Sequence, residues 1–204
     1  MMTGMGNRED LLAGAQQCLF DKGYDRTTVR DIATAAGVSM AAIGYHFGSK
    51  DVLLGEALAQ ATREWGAELT AAVADSPATE AGAPRFEARW DAVIDSIATH
   101  HGLWSATFDA LARPEIRERL AQNLGEARSG LARLIEDIDE PDTAAAGSAT
   151  RPTTDAEAVG AFCQVLLTGL AAHQLIDAQS VPRGRELAKA IRIIAARLDE
   201  NSPD

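Results

Sequence analysis

Long apolar runs are what this sequence most plainly lacks. None approaches the length that spans a bilayer, so no membrane partner is expected. Met1 to Asn7 is short, polar and glycine-containing, unlike a secretory leader, and the chain is expected to work in the cytoplasm. Cysteine is nearly absent. Cys18 and Cys163 stand far apart inside apolar helical patterns, which excludes a disulfide framework and suits small core residues in a reducing compartment. The four histidines, His46, His100, His101 and His173, have no cysteine or carboxylate partner at helical metal-ligand spacing, so no metal is expected. No glycine-rich phosphate loop and no nucleophile elbow occurs. The chain therefore calls for no cofactor and does not read as an enzyme.

Positive charge is scarce as well. Lys and Arg number 19 against 30 Asp and Glu, for a net charge of −11. The deficit is unevenly spread. Residues 1–50 hold five bases (Arg8, Lys22, Arg26, Arg30, Lys50) and five acids (Glu9, Asp10, Asp21, Asp25, Asp31), so the rest of the chain carries the whole excess. Any phosphate affinity must come from local placement, and an acidic body disfavours non-specific attachment to DNA.

One stretch has no acid at all, Ile32 to Ser49, and it lies inside the segment that organises the chain, Thr27 to Lys50. Thr28 precedes an apolar-periodic run with Asp31 three residues on, which is capping-box spacing. Val29, Ile32, Ala33 and Ala36 give the short helix one apolar stripe. Gly37 supplies a left-handed turn, and Ser39 suits the N-cap of a second short helix. Ala33, Gly37 and Ile43 fit two helices that cross closely, with Val38 and Phe47 pinning the ends of the second. Met40, Ala41, Ala42, Tyr45 and His46 are left on or near its outer face. An acid-free face at a helix N-terminus can approach phosphates without repulsion.

These residues resemble the N-terminal DNA-binding domain of the TetR family of transcriptional regulators. The matching pieces are Thr27-Thr28-Val29, Asp31-Ile32-Ala33, Ala36-Gly37-Val38-Ser39, Tyr45-His46-Phe47 and Ser49-Lys50-Asp51. Many family members carry an aromatic residue where Gly44 stands, so Tyr45 would have to cover that contact. The resemblance implies that Ser39, Tyr45, His46 and Lys50 hold phosphates, and that Thr28 and Arg30 reach the backbone or an adjacent base. Met40, Ala41 and Ala42 would then meet base edges by apolar contact. It is strong over roughly residues 7–58 and architectural beyond.

The rest of the chain shows helical spacing and no convincing strand. About nine helices in an all-α fold are expected: a helix-turn-helix domain over 1–50 and a larger helical effector-binding and dimerisation domain over 51–204. Asn7 would open the first helix and Gly23 end it. Ser49 would cap a long fourth helix running into the body. Phe86, Trp90, Val93, Ile97 and His101 share one helical stripe, with Gly102 as the break after it. Three tryptophans give flat apolar walls with spare N–H donors. Trp65, Trp90, Ile94, His101, Trp104, Phe108, Arg128, Phe162 and Leu166 are therefore the candidate lining of a small-molecule site, although aromatic stripes at this spacing also build plain cores. The eighth and ninth helices, through Leu167, Leu170, Leu187, Ile191 and Ile194, are the candidate homodimer interface. Apolar residues cover more than one face of the eighth, which a helix packed on one side does not need.

The sequence thus reads as a ligand-responsive DNA-binding regulator, a repressor released from a palindromic operator by a small apolar or aromatic effector. Two rivals remain: a helical protein-interaction module, and a small-molecule enzyme that does not bind DNA.

Overall fold

The computed structural model describes residues 3–74, 82–114, 116–122, 131 and 154–200. All repetitive structure among them is helical. The order is α1 (Thr3–Lys22), α2 (Val29–Ala36), α3 (Met40–Phe47), α4 (Lys50–Ala74), α5 (Ala83–Thr99), α6 (His101–Ala110), α7 (116–122), α8 (Thr154–Ile176), a 3-10 turn (Ala178–Ser180) and α9 (Gly184–Glu200). The described residues form two compact units. One takes those up to Ala67 together with His100 to 122; the other takes Glu68 to Thr99 together with residue 131 and those from 154 onward. The helices from His100 to 122 thus group with the amino-terminal helices, whereas the sequence suggested a single division at residue 50.

In the first unit, α1 begins at Thr3, not at Asn7. Asn7 has the spacing of a cap, but the residues before it complete another helical turn. Leu11, Leu12, Ala15, Cys18 and Leu19 form the inner stripe as expected. Ile32 and Ala33 of α2, Ile43 and Phe47 of α3, and Leu53, Leu54 and Leu58 of α4 are buried in the same unit. Each buried leucine, isoleucine or phenylalanine among them contributes about 1.5–3 kcal/mol of transfer free energy. Thr27 is buried after the turn that follows α1, and its hydroxyl lies 2.7 Å from the carbonyl of Gly23 and 3.1 Å from that of Cys18. It therefore serves the carbonyls that a helix end leaves open.

Helix α6 packs on α1 in the same unit. The break before it falls at His100, ahead of the glycine that suggested it. Gly102 serves packing instead. A Cβ there would lie 2.9 Å from the Cβ of Phe20, so its lack of a side chain permits the close approach. Because the stripe of α5 stops at Thr99, His101 opens α6 and is exposed. Trp65 and Trp104 meet edge to face at 5.0 Å between ring centroids, and Phe108 lies 6.4 Å from Trp104.

The second unit is built on α5, α8 and α9. Trp90, Val93 and Ile97 of α5 are buried, as are Cys163, Leu167, Leu170 and Ala171 of α8 and Leu187 and Ala188 of α9. Burial pushes the Cys163 thiol up to about 11, in keeping with an unreactive core residue. Arg183 ties the start of α9 to α5, with salt bridges to Asp91 at 2.9 Å and Asp95 at 2.7 Å. The Gly184 amide donates to Asp91 at 2.9 Å.

The expected dimer residues divide in two. Leu167, Leu170 and Leu187 lie in the core of their own unit and cannot serve a partner; Ile191 is half-buried. The apolar side chains left uncovered are Phe162, Val165 and Ile176 on α8, with Ile193, Ile194 and Leu198 on α9. Sequence spacing showed that α8 has two apolar faces but not which one faces inward. The stretch Glu157–Ile176 is also long and apolar enough to cross a membrane by length and composition, contrary to expectation. Its apolar side chains are split between the core face and the uncovered face, with polar Gln164 and Thr168 between them.

Candidate nucleic-acid interface

The reading candidate is the α2–turn–α3 segment, and its geometry follows from four short-range signals. Thr28 caps α2 in a β conformation, and its side chain accepts from the Asp31 amide at 3.2 Å. The Asp31 carboxylate in turn accepts from the Thr28 amide at 2.9 Å, completing a capping box. Lys22 closes on the same carboxylate at 2.6 Å. The Lys22 ammonium, then the Thr28 hydrogen bonds, hold Asp31 far below the usual carboxylate range, and Asp31 raises Lys22 in return. Gly37 ends α2 at φ 66°, a left-handed conformation that a Cβ would strain. The Val38 amide then returns to the Ala33 carbonyl at 3.0 Å, which fixes the exit angle.

Helix α3 follows with Ile43 and Phe47 turned inward. Ser39 occupies its N-cap position but makes no side-chain capping bond. The first amides of α3 therefore lack a side-chain acceptor, as at helix N-termini that receive anions. Met40 is 52% exposed and Tyr45 86% exposed, values that mark an outward face on a helix whose other side is core. Ala41 is exposed, Ala42 and His46 half-buried. The Tyr45 and His46 rings meet edge to face at 4.9 Å, so the tyrosine is braced although no described residue hydrogen-bonds its hydroxyl. Thr28 and Arg30 are exposed at the start of α2, and Arg30 forms no ion pair among the described residues.

Lys50 opens α4. Ser49 caps that helix, accepting from the Val52 amide at 3.1 Å. The Lys50 ammonium donates to the Thr27 carbonyl at 3.0 Å and lies 5.9 Å from the Tyr24 ring centroid. The lysine is thus anchored to the turn preceding α2 while it remains half-exposed. Tyr24, in the turn after α1, is a hub of the first unit. Its hydroxyl donates to Asp51 at 3.2 Å, and the Arg113 guanidinium sits 3.9 Å over its ring. Arg113 also pairs with Asp25. No local pattern marks Arg113, because its partners lie far back in the sequence.

The effector candidates are divided between the two units. Trp65, Trp104, Phe108 and the exposed His101 belong to the first unit, while Trp90, Ile94, Phe162 and Leu166 belong to the second. Phe162 is 50% exposed, on the uncovered face of α8. Arg128 lies outside the described residues. The indole N–H groups of Trp90 and Trp104 are buried without an acceptor among the described residues. No cluster of three or more His, Cys, Asp or Glu able to hold a metal occurs among those residues.

Comparison with known proteins bears on the amino-terminal segment and on the fold. Residues 11–57 match the family described as bacterial regulatory proteins, tetR family. The HTH-type transcriptional repressor Rv1474c of Mycobacterium tuberculosis is 46% identical over 46 residues, 22% of this chain and 25% of that protein. The match thus spans about a quarter of that curated relative. Across nearly the whole chain the likeness is one of fold. A candidate transcriptional regulator from Pseudomonas aeruginosa PAO1 superposes with a TM-score of 0.64 at 24% identity, covering 95% of this chain and 90% of its own. Another from Saccharomonospora viridis, solved in complex with choline, gives 0.58 at 20% identity, covering 96% of each chain. The segment that carries most of α1, the helix-turn-helix and the first turns of α4 is thus similar to the tetR family of bacterial regulatory proteins.

Proposed function

We propose that the protein is a DNA-binding transcriptional repressor of the cytoplasm that binds a palindromic operator as a homodimer and is released by a small molecule. The observation that carries this is the acid-free outer face of α3, with Tyr45 and Met40 exposed on a helix fixed by its own turn and core. In this reading the α3 amides at Ser39, with Tyr45, His46 and Lys50, hold phosphates. Thr28 and Arg30 reach the backbone beside them, and Met40, Ala41 and Ala42 meet base edges. Those short side chains form few hydrogen bonds, so groove shape contributes to recognition. Repression is the sense of action of the M. tuberculosis relative. The direct test is a mobility shift with the DNA upstream of the protein's own gene. A sequence-specific complex is expected, and binding no tighter than to unrelated DNA would overturn the reading.

A palindromic operator needs two reading helices about 34 Å apart. The uncovered residues Phe162, Val165, Ile194 and Leu198 are the surface best suited to join two copies, since a helix with apolar side chains on a second face gains by burying them.

The effector is assigned to the aromatic group Trp65, Trp104 and Phe108. Trp104 supports this, because a buried indole N–H without an acceptor costs about 1–3 kcal/mol until something accepts from it. A flat apolar molecule carrying one acceptor atom would meet both needs. Trp65 stands on the same helix as Lys50, so a shift of α4 at one end is felt at the other. The effector acts only through its preference for one arrangement over the other.

A further inference from the structure

The first unit also holds a groove of about 460 Å³ that no part of the preceding reading uses. Its volume falls in the range of small-molecule sites. Three elements line it: the turn after α1 through Tyr24, the first turns of α4 through Val52 and Gly55, and the α6–α7 segment through Arg113, Ile116 and Arg119. The walls are mostly apolar. Ile116 is 4% exposed and Val52 37% exposed, and Gly55 leaves a shallow bed where an added Cβ would only touch Ile116 and the Arg119 stem, at 3.8 and 3.9 Å.

The charge of this groove runs against that of the chain. Two guanidiniums line it, with a single carboxylate, Asp51, which already accepts from the Tyr24 hydroxyl. Arg113 is engaged, through its pair with Asp25 and a bond to the Asp109 carbonyl at 3.2 Å. Arg119 is not. It forms no hydrogen bond among the described residues, and its carboxylate neighbour Glu56 is 3.8 Å away. Arg8 pairs with the other oxygen of Glu56, at 2.6 Å. A second, more polar groove of about 220 Å³ adjoins at Arg119 and adds Arg8 and Arg63, with Glu56 as its carboxylate. Arg119 thus presents a planar fork of donors between an apolar trough and a cationic one, the arrangement that receives a carboxylate.

We propose that the Tyr24–Val52–Ile116 groove is a second small-molecule site, separate from the aromatic group around Trp104, and that it takes a flat organic acid. The ring of the ligand lies along Val52, Gly55 and Ile116, and its carboxylate pairs with Arg119. Tyr24 and the Ser49–Asp51 segment also seat Lys50, so occupancy alters the footing of a phosphate-contacting residue.

The site is tested with benzoate as probe and benzamide as its neutral counterpart, added to the full-length protein and followed by amide chemical shifts. Fragments of this size bind at about 1 mM at ordinary ligand efficiency. Benzoate should shift Val52, Gly55 and Ile116 together, and benzamide should bind about tenfold more weakly, the value of one charge-assisted pair. Arg119→Ala should reduce benzoate to the level of benzamide, with a thermal melt of the variant close to that of wild type. Equal binding of the two probes, full binding by Arg119→Ala, or shifts confined elsewhere would each overturn the proposal. None of these outcomes depends on whether the protein binds an operator.

Discussion

Replacing Lys50 by methionine separates its bond to Thr27 from the phosphate contact proposed for it. Its ammonium has three donors, and the Thr27 carbonyl takes one at 3.0 Å. Two remain for a phosphate oxygen. Methionine keeps the apolar stem near Tyr24 and removes only the charge. Each lost phosphate contact lowers the salt slope of log affinity by about 0.9, hence about 1.8 for a dimer with two copies. Between about 50 and 200 mM salt that difference amounts to about 12-fold, so the variant should bind much more weakly than wild type at low salt and come closer to it at high salt. The lost bond to Thr27 should cost about 1 kcal/mol of stability. In a chain of this size that lowers the melting temperature by about 2–4 °C. Fluorescence anisotropy on labelled operator across a salt series measures the first quantity, and a thermal melt the second. A variant that melts lower but keeps the wild-type salt slope would refute the phosphate assignment and leave Lys50 as a structural anchor of the turn.

Three further outcomes are expected. Asp31 is held ionised chiefly by Lys22, so its contribution is complete above the ordinary carboxylate range and is lost as pH falls through the lowered native value. Asp31→Asn should therefore flatten the acid limb of a stability-against-pH curve from chemical denaturation, and an unchanged limb would contradict the pairing. Gly184→Ala would put a Cβ 2.1 Å from the Glu87 carbonyl oxygen, so α9 must move off α5. Overpacking of this kind costs about 1–3 kcal/mol, and a variant melting like wild type would show that the approach is looser than described. Val165→Glu with Ile194→Glu should give a folded monomer by sedimentation, because those residues are 73% and 58% exposed. A wild type that sediments as monomer at micromolar concentration would remove the dimer and the operator spacing with it.

The sequence made the helix-turn-helix legible because each of its determinants acts within a few residues. Thr28 and Asp31 are three apart, and Gly37 turns the chain by its own backbone. Ser39 shows the limit of that logic: the residue type suits a cap and the position is right, yet no bond forms. The faces of α8 were not legible, since an apolar helix does not state which side its neighbours will cover. Asn7 and Gly102 failed for a related reason. A permissive residue allows a helix start or a break without requiring one, and the close approach of Phe20 to Gly102 depends on α6, which lies far along the chain.

Charge shows the same limit and changes the electrostatic argument. By composition, residues 1–50 are neutral, a poor match for a polyanion. The acids nearest the reading helix are each held by a donor. Lys22 holds Asp31, Arg113 pairs with Asp25, and the Tyr24 hydroxyl donates to Asp51. Arg30, by contrast, has no such pairing among the described residues, and Lys50 is tied only to a carbonyl. The field that α2 and α3 present is therefore more positive than the count, because Arg113 brings a cation from outside the segment and Arg30 and Lys50 have no carboxylate partner among the described residues. One compensating charge, Arg113, lies 88 residues from its acid, so no window of sequence contains both. Composition fixes the total charge of the segment; tertiary pairing decides how much of each sign is left to meet a phosphate.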